Sequence, residues 1–129
     1  MTEEFVTLET AKLLKEKGFK EDVFTFYEVD CVEGDMILSE TYDESENFNE
    51  KNDCLSAPTQ SLAQKWLRET KNIHICVYNC ACGYGYEISK ADNGTHIASS
   101  VYEGPNDGGK WDVYEDALEA GLQEALKLI

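Results

Sequence analysis

Apolar positions mark out the elements of this chain before anything else does. Leu8, Ala11 and Leu14, widened by Leu13, recur at helical spacing and predict a helix over Thr7–Lys17. Thr7 can accept at its N-cap, lysines crowd its end where the helix dipole favours cations, and Gly18 follows as a natural C′ residue. From Glu21 to Asp30 the period changes to two. Phe24 and Phe26 fall on one side, with Val23, Thr25, Tyr27 and Val29 on the other. A turn at Gly34-Asp35 and a returning run Met36–Tyr42 complete a hairpin.

Asp43–Ala57 has no apolar period and reads as a long polar loop closed by Pro58. Leu62, Ala63, Trp66 and Leu67 then form a compact stripe on a second helix, Thr59–Thr70. Three strand-like runs follow, Ile73–Cys82, Tyr84–Lys90 and Thr95–Tyr102, broken at Gly83 and turned at Asn93-Gly94. Gly104–Gly109 reads as a loop, after which Asp112 and Glu115 resemble a capping pair for the last helix. On that helix Ala117, Gly121 and Ala125 form a row of small residues beside Tyr114, Leu118, Leu122, Leu126 and Ile129. Such a row suits close helix-on-sheet packing and also a homodimer seam through the C-terminal helix. The expected fold is α+β in the order α-β-β-α-β-β-β-α, a mainly antiparallel sheet packed by helices, with residues 1–129 as a single domain.

Composition agrees with a globular chain: 129 residues, 42% hydrophobic and 29% charged, are ordinary values that need neither metal nor disulfide for stability. The charge is less ordinary. Acidic residues outnumber basic ones 26 to 11, for a net charge of −15. Nucleic acid and anionic membrane are poor partners for such a field, and a basic protein is the partner it suits. Twelve of the acidic residues lie between Glu21 and Asp53, where Lys51 is the lone cation. That segment holds −11 of the total, and Glu40, Asp43, Glu44 and Glu46 stand at its centre as candidate binding residues. Charges on an edge also discourage aggregation between sheets, which is the structural role the same residues would have without a partner.

Met1 leads into Thr2-Glu3-Glu4 without a basic or apolar leader, and no run approaches the ~20 residues that cross a bilayer. Five cysteines form no paired-spacing framework and read as reduced thiols of a cytoplasmic protein.

Three stretches carry a resemblance. Leu8–Phe19, Ser56–Glu69 and Tyr114–Leu122 together resemble small uncharacterised phage- and prophage-associated proteins of gut bacteria. The resemblance covers about a third of the chain, implies a phage or mobile-element setting, and brings no activity or site residues with it.

Catalytic and metal motifs are weak. Cys76, Cys80 and Cys82 share strand parity with His74, but they lack knuckle spacing, and ~20 Å separates the outer pair on an extended strand. No metal or cofactor is therefore expected. A nucleophilic site would need Cys beside His, and the His74/Cys76/His96 neighbourhood is where a small enzyme or ligand-binding protein would build one. Gly108-Gly109-Lys110 departs from phosphate-loop spacing and is bracketed by Asp107 and Asp112. Asp43–Cys54 lacks the central Gly and terminal Glu of a calcium loop. The leading expectation is a non-enzymatic accessory or interaction protein whose Glu21–Asp53 face meets a basic protein.

Overall fold

The computed structural model describes residues 3–30, 32–102 and 109–129, which form two compact units divided at Thr59/Gln60. The α+β class holds, with three α-helices and two antiparallel three-stranded sheets among the described residues.

In the first unit, α1 (Leu8–Glu16) is capped by the Thr7 hydroxyl, which accepts from the Thr10 amide, and Gly18 follows its end at φ +91°. The helix buries Thr10, Ala11 and Leu14. Strands β1 (Thr25–Val29), β2 (Met36–Glu40) and β3 (Cys54–Ser56) pair in the order β2-β1-β3. The expected hairpin is therefore present, in the register Thr25↔Glu40 to Val29↔Met36.

Strand β3 was not expected. It arises inside the segment read as a loop, which also contains a 3-10 turn at Phe48–Glu50. Two long-range anchors create this order. Phe48 is buried and stacks on Phe26 with centroids 4.1 Å apart, and Asn49 ties two strands of chain together. Its amide nitrogen donates to Phe19 O at 2.8 Å while its amide oxygen accepts from Ser56 N at 2.8 Å. The Lys15 ammonium reaches from α1 to donate to Lys51 O and Cys54 O, satisfying carbonyls that the short strand leaves open.

In the second unit, α2 (Gln60–Lys71) leads into β4 (Ile73–Cys80), β5 (Gly83–Lys90), β6 (His96–Ser99), a 3-10 turn at Ser100–Tyr102, and α3 (Tyr114–Lys127). The meander expected from the sequence is present in the order β4-β5-β6. Asn72 takes φ +59° to end α2, and its side-chain and backbone oxygens accept from Asp92 N and Ala91 N, fastening the β5–β6 turn. β6 is shorter than expected because a register shift near Ser89 and the following 3-10 turn take the chain out of the ladder.

One face of this sheet, with Ile73, Ile75, Tyr86 and Ile88, packs with the buried residues of α2 and α3. Gly121 is the point of closest approach. A Cβ there would meet Ile75 Cγ2 at 2.9 Å and Tyr86 Cγ at 3.2 Å, so the small-residue row lies against its own sheet. The last helix begins with Val113 at its N-cap and no side-chain cap, so Asp112 does not play the role its spacing suggests. The expected single sheet is replaced by two, with β3 as the added strand. The loop expected at Gly104–Gly109 lies, except for Gly109, outside the described residues, as does Cys31. Among the described residues no helix is long and apolar enough to cross a membrane.

Candidate functional site

The acidic segment belongs wholly to the first unit and wraps its β2-β1-β3 sheet. Glu40 ends β2, and Asp43 and Glu44 follow in the connection; all three are exposed. Among the described residues no ion pair involves them. Glu46 is different. Its backbone bridges to Val23, and its carboxylate meets the Lys51 ammonium at 2.9 Å, a contact that holds the ammonium above its ordinary pKa. Glu46 is thus partly committed to local structure, and Glu40, Asp43 and Glu44 carry the uncompensated charge.

Glu28 and Asp30 are also tied locally. Ser39 Oγ donates to Glu28 Oε1 at 2.9 Å, and the Val32 amide donates to Asp30 Oδ1 at 2.9 Å. These bonds orient two carboxylates of β1 and its turn without neutralising them.

The charge has companions that charge counting missed. Phe24, Val29, Val32, Ile37, Leu38 and Tyr42 are all exposed large apolar residues of this same segment, with Val32 at 91% and Tyr42 at 93%. The signal was present in Met36-Ile37-Leu38. Consecutive apolar residues on a strand face both ways, so a single-sided core cannot cover them all. Beside β1 and β2 lies an open cavity of about 580 Å³, lined by Phe5, Phe26, Glu28, Leu38, Glu40 and Tyr42 together with Thr25 and Ser39. Aromatic walls and two carboxylates in one cavity suit a cationic side chain with an apolar stem.

The His/Cys neighbourhood is on the second sheet. His74 pairs with Ser89 and Ser89 with His96, so both histidines lie on the face opposite Ile73 and Ile75, about two strand spacings (~10 Å) apart. Cys76 and Cys80 share the parity of His74, while Cys82 sits in the β4–β5 turn. Side-chain contacts do not assemble them into a catalytic group. His96 Nδ1 lies 3.4 Å from Glu87 Oε1, and the Cys76 thiol contacts the Val77 carbonyl. The Cys80 thiol contacts the Gly83 carbonyl. Among the described residues no group of three or more His, Cys, Asp or Glu side chains is placed to hold a metal ion.

No protein-family model, curated protein or solved structure matches the chain.

Proposed function

We propose that the protein is a non-enzymatic interaction protein that uses the Glu21–Asp53 face of its first unit to bind a basic protein. The supporting observation is the coincidence, within the one segment Glu21–Asp53, of −11 net charge with six exposed large apolar side chains. Solubility alone accounts for the charge but favours polar companions rather than Val32, Ile37, Leu38 and Tyr42. A contact surface accounts for both: carboxylates steer and select a basic partner, and the apolar residues hold it after encounter. The resemblance of the three helical stretches to phage- and prophage-associated proteins supports a mobile-element setting for this role.

Reversing charge at Glu40, Asp43, Glu44 and Glu46 to lysine tests the reading. A basic protein captured by the wild-type chain, then purified, should lose binding to the reversed variant, and its affinity for the wild type should fall as salt rises. Undiminished binding to the reversed variant discards the acidic face.

A further inference from the structure

Strand β2 is at the edge of its sheet, paired only with β1 among the described residues. The ladder bonds Thr41 N to Phe24 O and Asp30 N to Asp35 O bracket the strand and fix its phase. Ile37 and Ser39 turn their backbone groups toward β1, and Met36, Leu38 and Glu40 turn theirs outward. An edge with outward N–H and C=O groups is a template for another strand. Natural edges are commonly shielded by Lys, Pro or brevity. β2 has neither Lys nor Pro and runs for five residues with Ile37 and Leu38 exposed.

What the edge does carry is carboxylate: Glu33 and Asp35 just before the strand, and Glu40 at its end. A second copy of this chain, with its own net charge of −15, would set like charges against like along that edge. A basic segment meets the complementary pattern. The cavity beside β1 and β2 adds a place for one of its side chains, since Glu28, held by Ser39, and Glu40 supply charge while Phe26 and Tyr42 supply ring surface.

We infer that β2 receives an extended basic segment of the partner protein as an added strand, with an arginine or lysine of that segment seated in the Glu28/Glu40 cavity. The inference rests on the acidic-face reading and goes beyond it in specifying backbone pairing. The outward groups of Met36, Leu38 and Glu40 give register-tolerant attachment, and the cavity gives selectivity for a cation at one position.

The test uses the full chain and a blocked peptide of alternating arginine and valine, about six residues long to match an ordinary strand. Binding is followed by fluorescence anisotropy at low salt. The same peptide N-methylated at every residue keeps its charge but loses all its backbone donors, and a citrulline version keeps its shape but loses its charge. The parent peptide should bind, with both altered peptides weaker by about tenfold or more. Leu38→Pro removes one outward N–H without touching the bonds to β1, and should weaken the parent peptide by a similar factor while the melting curve stays cooperative. Should that variant fail to fold, the N-methylated peptide decides the question. Equal binding of parent and N-methylated peptides overturns strand addition while leaving the acidic face as the contact. Equal binding of parent and citrulline peptides overturns the cation seat. Absence of binding by any peptide overturns the whole inference, and the charge-reversal experiment then judges the acidic face separately.

Discussion

The ring of Tyr78 lies over the backbone of Gly85, its paired residue on the neighbouring strand. A Cβ on Gly85 would come within 2.5 Å of Tyr78 Cζ and Oη and 2.7 Å of Ser100 Oγ. The two hydroxyls are 3.2 Å apart, and Ser100 Oγ also accepts from Tyr86 N at 2.9 Å. Gly85 therefore makes room for a side-chain contact that fastens the 3-10 turn after β6 to β4, across β5. Gly85→Ala should destabilise the protein by about 1–3 kcal/mol in urea denaturation. Adding Tyr78→Ala should recover only part of the loss, because Ser100 still crowds the new methyl group. A Gly85→Ala chain as stable as wild type would show that the ring moves aside freely.

A second prediction concerns the buried link between α2 and α3. Gln60 Nε2 donates to Glu115 O and to Glu119 Oε1, both at 2.9 Å, with Gln60 and Glu119 buried. Gln60→Glu replaces a donor by a carboxylate facing another carboxylate, at an expected cost of about 2–3 kcal/mol at neutral pH. Like charges at this distance resist joint ionisation, so a proton is retained more readily in the folded variant than in the unfolded one. The sign follows: the deficit is smallest below the ordinary carboxylate range, about pH 4.3, and grows as pH rises through it. Parallel pH-stability curves for the two proteins would contradict this account.

The helices were legible because each one carries its own apolar stripe, and the β4–β6 meander was legible because its turns and period are local. β3 was not. Cys54-Leu55-Ser56 is too short to show a period, and it becomes a strand through distant partners: Phe26 beneath Phe48, and Asn49 between Phe19 and Ser56. The division into two sheets escaped for the same reason, since it depends on which strand β1 pairs with beyond its hairpin. In the candidate site the carboxylates were countable and the run Met36-Ile37-Leu38 signalled uncovered apolar residues, but that β2 is an edge strand was not legible. Pairing at long range decides exposure, and neither composition nor spacing encodes it plainly.

Ser56 supplies a third prediction. Its hydroxyl is fully buried and has no hydrogen-bond partner among the described residues, although its backbone amide is held by Asn49. A buried hydroxyl without a partner costs about 1–3 kcal/mol relative to water. Ser56→Ala should therefore leave stability unchanged or raise it, by up to about 1 kcal/mol after the lost packing is counted. Asn49→Ala should act in the opposite direction, losing about 1–3 kcal/mol because the Phe19 carbonyl and Ser56 amide lose their shared partner. The pair of melting temperatures checks both signs at once, and a destabilised Ser56→Ala would mean that the hydroxyl has a partner in solution.

The cysteines give the last prediction. Cys54 is buried, and burial first, then the neighbouring Asp53 charge, pushes its thiol above the ordinary value, whereas Cys76 and Cys82 are exposed. Thiolate is the reactive form, so Cys54 should be alkylated by iodoacetamide at least about tenfold more slowly than Cys76 or Cys82 in the native protein at pH 8. Peptide mass spectrometry over time resolves the three sites, and denaturant should bring their rates together. The same shift has a consequence for stability. A thiol whose folded pKa is raised contributes stability present below its unfolded value, about pH 8.5, and lost as pH rises through the folded one. Cys54→Ala, which removes the ionisable group, should flatten that alkaline decline even though the cavity it leaves lowers stability at neutral pH. Fast labelling of Cys54 in the folded chain would show that the Asn49-anchored segment opens readily, and β3 would then be the weakest part of the first sheet.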